Sequence, residues 1–97
     1  MEKSTQITTE ETGSIRVQVQ RIYKMQSEGP LKAFAEITIN DALLIKGLKV
    51  LEGKGGLFVT MPCEKAKDNK WYESVRALTK SIENEITQKV LEAYNDN

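Results

Sequence analysis

The stretch Leu31–Pro62, LKAFAEITINDALLIKGLKVLEGKGGLFVTMP, constrains this chain most. Three apolar runs are separated by two turn signals, Asn40-Asp41 and Gly53-Lys54-Gly55-Gly56. Runs that alternate with period two between Asn, Asp and Gly read as strands joined by tight hairpins. The stretch is therefore expected to form a three-strand antiparallel meander, with the rest of the chain as its covering.

Parity within each run fixes the faces. Leu31, Ala33, Ala35, Ile37 and Ile39 share one face, and Lys32, Glu36, Thr38 and Asn40 the other. Phe34 falls on the polar face, so that face is expected to be covered at one end by the helix or a second subunit. Leu43 and Ile45 are odd, whereas Leu48 and Val50 are even, with Lys46-Gly47 between. One extra residue there, a bulge at a glycine, returns all four to one face. Leu57, Val59 and Met61 resume the alternation up to Pro62.

Upstream, Ile15, Val17 and Val19 alternate with Arg16, Gln18 and Gln20, and the phase slips near Arg21, which marks a further strand with a bulge. Ser27-Glu28-Gly29-Pro30 is a loop whose proline stops the ladder. Residues 1–13 are polar and aperiodic and read as a flexible or tag-like tail, with 14–97 as one domain. Downstream, Cys63–Lys70 is expected as a charged loop with a turn at Asp68-Asn69, and Trp71–Val75 as a short strand or extended piece. From Thr79 the period becomes helical: Ile82, Ile86, Val90 and Ala93 form a stripe that Leu91 and Tyr94 widen. Thr79 or Ser81 is the expected N-cap, and Glu83 and Glu85 lie near the helix start, where the macrodipole favours carboxylates. The fold class expected is α+β: an antiparallel meander of four to five strands with a C-terminal helix, dimeric. An open apolar edge, at Ile15–Met25 or Leu31–Asn40, is expected to close by pairing with a second copy across a two-fold axis.

Function classes narrow quickly. The chain has no histidine, and Cys63 is its one cysteine, which excludes a disulfide within the chain and any multi-cysteine metal site. A cysteine nucleophile needs a nearby base, usually histidine, so Cys63 reads as a small hydrophobe at a strand end. Gly53–Gly56 lacks the phosphate-loop pattern and sits between strands, so it is a turn. The carboxylate pairs Glu83/Glu85 and Asp68/Glu73 lie on polar stretches and read as solvated surface. The protein is expected not to be an enzyme and to need no metal or cofactor. No apolar run approaches a membrane span and no signal-peptide core precedes the domain, so a cytoplasmic protein is expected.

Net formal charge is zero, from 14 basic and 14 acidic residues. The distribution is uneven: Arg16–Lys54 holds seven basic against four acidic side chains, and the segment from Lys80 onward holds two against four. The best functional candidate is residues 64–80, where Lys65, Lys67, Lys70, Arg76 and Lys80 interleave with Trp71 and Tyr72. Basic groups meet phosphates while aromatic rings stack on bases. The competing reading is a solvated lysine loop with Trp71 and Tyr72 closing the core.

The runs EGPLKAFAEITI, GLKVLEG, GGLFVTMP and KVLEAY together resemble the stage V sporulation protein G family, also known as the septation-protein family, over about Ile15–Tyr94. The segment Gly56–Pro62 is the most specific motif. The resemblance implies a small, bacterial, dimeric protein linked to septum assembly and sporulation, some members of which are DNA- or RNA-binding regulators. It implies nucleic-acid contacts in the loop after Met61-Pro62 and at the helix start, where Lys65, Arg76 and Lys80 lie. Glu64, Glu83 and Glu85 stand where relatives often carry basic or neutral residues. The alternative implied is a protein-interaction module of the division or sporulation apparatus that binds no nucleic acid.

Overall fold

A computed structural model describes residues 15–26 and 28–96. The tail expected at 1–13 lies outside the described residues. Strands β1 (Val17–Lys24), β2 (Leu31–Ile39), β3 (Leu43–Gly53) and β4 (Gly56–Thr60) form one antiparallel sheet in the order β1-β2-β3-β4. Two short strands, β5 (Cys63–Lys65) and β6 (Trp71–Glu73), pair separately, and helix α1 (Lys80–Asp96) ends the chain.

Both parity slips are bulges. The β1–β2 register shifts between Val19 and Arg21. In β2–β3, Ala35 faces Leu48 while Glu36 faces Lys46, so Gly47 is the extra residue. Its φ of 91° lies in the region that only glycine enters without strain. The Gly47 bulge rotates the strand so that Ile45, Leu48 and Val50 all face the core. A third shift, between Leu31 and Ala33, accompanies the start of β2. Asn40 and Asp41 both take positive φ, 54° and 56°, as a type I′ hairpin turn requires. The turn is pinned to the start of β1: the Arg16 N–H donates to Asn40 Oδ1 at 2.6 Å, and Arg16 meets Asp41 at 3.3 Å.

The core consists of Val17, Ala33, Ala35, Ile37, Leu48 and Val50 from the sheet and Ile86 and Val90 from the helix. The small Ala33 and Ala35 on the central strand leave room for α1, which packs chiefly over β1 and β4. Thr79 is the N-cap: its Oγ1 accepts from the Ile82 N–H at 3.2 Å. No polar or charged residue is buried among the described residues, so burial of apolar surface dominates here.

Three expectations are corrected. Leu31–Ile39 is not an edge, because β1 and β3 flank it on either side. The helix does not cover Phe34, which is half-buried beside Tyr23 and Lys49 on the opposite sheet face. Residues 63–70 are not all loop: the first three pair with Trp71–Glu73, so the second element is a hairpin.

Candidate nucleic-acid interface

The hairpin follows from its turn chemistry. Ala66 and Lys70 close it, the Ala66 N–H donating to the Lys70 carbonyl at 2.9 Å. Asn69 takes φ 66°, a conformation asparagine tolerates better than most residues. Asp68 organises the tip. Its carboxylate accepts the Tyr72 hydroxyl at 2.7 Å and the Lys70 N–H at 3.0 Å. These two bonds hold the Asp68 carboxyl below its ordinary range, the Tyr72 bond contributing most. The same bond raises the Tyr72 hydroxyl, with partial desolvation adding to it. Asp68 is exposed, as its polar surroundings suggest, and is in addition bonded to Tyr72 and the Lys70 N–H.

Register then assigns the faces. Lys65 lies opposite Trp71 and Glu64 opposite Tyr72, and directly opposed residues project from the same side of a sheet. Trp71 and Lys65 therefore share one face. Lys49, from β3, reaches that face from the main sheet, its ammonium 5.6 Å from the centre of the Trp71 ring. Trp71 is 61% exposed and Tyr72 52% exposed. This departs from the reading in which both close the core. Neither ring is needed by the hydrophobic cluster of the described residues.

The five cations singled out in the sequence separate into two groups. Lys65, Lys67 and Lys70 are exposed on the hairpin and form no ion pair with any described residue. Arg76 is held by Glu73 at 2.8 Å, and Lys80 by Glu83 at 3.2 Å, each at i,i+3 spacing. Their charge is partly neutralised locally. Lys49 completes the first group, and its signal in the sequence was its place on the polar parity of β3. Lys46 lies across from Glu36 on the same broad sheet face, near Arg21, Tyr23 and Leu44.

Cys63 is half-buried, and its Sγ donates to the Met61 carbonyl at 3.4 Å. Among the described residues, no three His, Cys, Asp or Glu side chains gather as a metal site would need. No described helix is long and apolar enough to cross a membrane. What the hairpin offers is an exposed indole and phenol framed by ammonium groups, an arrangement suited to flat, anionic polymers.

The comparison with known proteins agrees with the resemblance seen in the sequence. A family model described as SpoVG matches residues 15–96. Proteins named "Putative septation protein SpoVG" are similar over most of their length. The one from Archaeoglobus fulgidus is 36% identical over 76 residues, covering 78% of this chain and 89% of its own. The one from Agathobacter rectalis is 36% identical over 74 residues, covering 76% and 85%. The one from Staphylococcus carnosus is 33% identical over 76 residues, covering 78% and 71%.

Proposed function

Because the chain belongs to the SpoVG family, we propose that it is a non-enzymatic, dimeric nucleic-acid-binding regulator linked to septum assembly and sporulation. The observation that carries this reading is the exposed Trp71 and Tyr72 on a hairpin whose neighbouring cations, Lys65, Lys67 and Lys70, form no ion pair with any described residue. An exposed tryptophan left out of the core is costly in water unless something stacks on it. Bases present such faces in any sequence, and single strands present them most readily. Lys49, Lys65, Lys67 and Lys70 supply phosphate contacts around the rings. Arg76 and Lys80 contribute less, each sharing its charge with a glutamate. The septation link rests on the names of the relatives.

The test is binding of labelled single-stranded DNA and RNA to the full chain across a salt series. Four phosphate contacts predict a slope of log affinity against log salt of about −3 for single strands. Trp71→Ala weakens binding by about tenfold or more through lost stacking. Absence of binding at about 50 mM salt, where the electrostatic term is large, would rule the reading out.

A second reading, a protein-interaction module of the division apparatus, is favoured by the neutralised Arg76 and Lys80 and by the zero net charge. Capture of partners that survive nuclease treatment, with no retention of oligonucleotide, supports it over the first.

A further inference from the structure

The face of the main sheet turned away from α1 carries side chains that the core does not use. Register places two rows across it. Tyr23 lies opposite Phe34, Phe34 opposite Lys49, and Lys49 opposite Thr60. In the adjoining row, Arg21 lies opposite Glu36 and Glu36 opposite Lys46. Directly opposed residues project from one side of a sheet. That side faces away from the core, because the strand neighbours Ala33, Ala35, Leu48 and Val50 are fully buried on the other.

A solvated sheet face is ordinarily polar. This one presents aromatic rings. Tyr23 is 44% exposed, and Phe58, two residues from Thr60 on the same face, is 45% exposed. Phe34 is half-buried between Tyr23 and Lys49. None of the three belongs to the hydrophobic cluster of the described residues. The two rows hold three cations, Arg21, Lys46 and Lys49, against one carboxylate, Glu36. Lys46 and Lys49 form no ion pair with any described residue. Glu36 is itself engaged: the Tyr23 hydroxyl donates to its Oε2 at 3.4 Å, and Arg21 Nη1 donates to that hydroxyl at 3.3 Å. A groove of about 380 Å³ lies along Arg21, Tyr23, Glu36 and Lys46. At the other end of the first row, the Lys49 ammonium sits 5.6 Å from the centre of the Trp71 ring. The row therefore begins where the hairpin ends.

We infer that a single strand of nucleic acid runs from the hairpin across this face, one base on Trp71 and another on Tyr23, with phosphates at Lys49, Lys46 and Arg21. This rests on the nucleic-acid reading above and gives the strand its path and its form. The cations select a polyanion over an apolar peptide. The rings select unpaired bases, because a duplex keeps its bases stacked on one another and away from a flat face. Arg21 and Lys46 raise the phosphate contacts from four to six, which steepens the salt slope to about −4 for a single strand.

The test is binding of a labelled thymidine strand of about twelve nucleotides, a span such sites occupy, to the full chain across a salt series. Tyr23→Ala, Tyr23→Phe and Lys46→Ala are compared with it, each checked for native circular dichroism. Tyr23→Ala is expected to weaken binding about tenfold through lost stacking. Tyr23→Phe keeps the ring and binds as the unaltered chain does. Lys46→Ala makes the salt slope shallower by about 0.7. A duplex of the same length displaces the strand poorly. If Tyr23→Ala and Lys46→Ala bind as the unaltered chain does while Trp71→Ala is weakened, the sheet path is overturned and the hairpin reading stands. Equal loss from Tyr23→Ala and Tyr23→Phe, or equal displacement by the duplex, overturns base stacking on this face. No binding by the unaltered chain at about 50 mM salt overturns both readings and leaves the face to a protein partner.

Discussion

The sheet–helix body and the β5–β6 hairpin are held by different forces. In the body, Ile37, Leu48, Val50 and Val90 are fully enclosed and no buried polar group interrupts them among the described residues. In the hairpin every residue from Glu64 to Glu73 is exposed, and its order comes from the backbone pairing of β5 with β6 and from Asp68 bonding Tyr72 and the Lys70 N–H. A region ordered by polar contacts at its surface keeps its aromatic rings free. The body cannot spare an apolar side chain without a cavity; the hairpin presents Trp71 at no cost to the core. The contrast predicts that stability and binding separate by region.

Leu48→Ala should break the contrast most severely if it is wrong. The site is fully enclosed beside Ala35, so truncation leaves a cavity that neighbouring strands cannot close. Chemical denaturation should show a loss of about 2–5 kcal/mol. Trp71→Ala, a larger truncation, should move the same midpoint by less than about 1 kcal/mol, since surface substitutions seldom exceed that. Equal losses from the two would mean that the hairpin belongs to the core.

Gly47→Ala comes next. The added Cβ meets Pro62 Cβ at 3.5 Å, an ordinary contact, so space is not the difficulty. The difficulty is φ 91°, which an L side chain adopts only with strain. A loss of about 1–3 kcal/mol is expected, readable as a lowered thermal midpoint. Thr79→Ala should cost about 1 kcal/mol by removing the helix cap, and Thr79→Ser should restore most of it.

These sites also show what was legible in the sequence. The bulges before Arg21 and at Gly47 could be read because strand alternation has a strict period of two, so one extra residue changes the parity of every apolar position after it. The shift at Lys32 left no such mark, since Leu31 and Ala33 keep the same parity. The helix was legible from its stripe and its cap. Strand β5 was not: three residues, Cys63-Glu64-Lys65, are too few to display a period, and they pair only because the turn around Asp68 brings Trp71–Glu73 back. The burial expected of Trp71 rested on how large aromatics usually behave, and here Ala33 and Ala35 give the core space to the helix instead. Of the candidate cations, Lys65, Lys67 and Lys70 could be grouped by position. The neutralisation of Arg76 and Lys80 was written in the i,i+3 spacings to Glu73 and Glu83, a signal the basic-aromatic pattern obscured.

The smallest effect expected is also the one that isolates the hairpin. Asp68 has its carboxyl lowered from 3.8 in the fold, chiefly by the Tyr72 hydroxyl and then by the Lys70 N–H. A depressed carboxyl stabilises the fold above its unfolded value and ceases to do so as pH falls through the lower, folded one. Tyr72 is raised from 10.0. Its contribution is present below the unfolded value and is lost as pH climbs through the higher, folded one. The bond should therefore hold the hairpin across the interval between these limits and release it on either side. Trp71, within the same hairpin, is the chain's one tryptophan and reports this directly by fluorescence. Its emission should stay constant through neutral pH and change at the acid and alkaline limits. Tyr72→Phe should abolish the alkaline change and move the acid one upward toward 3.8, because the carboxyl loses its strongest partner. Far-ultraviolet dichroism of α1 should not follow either change, since the helix is held by Ile86 and Val90 against a sheet with no titrating group buried in it among the described residues. A helix signal that moves together with the Trp71 emission would mean that hairpin and body are one cooperative unit, and the division of forces between them would fail.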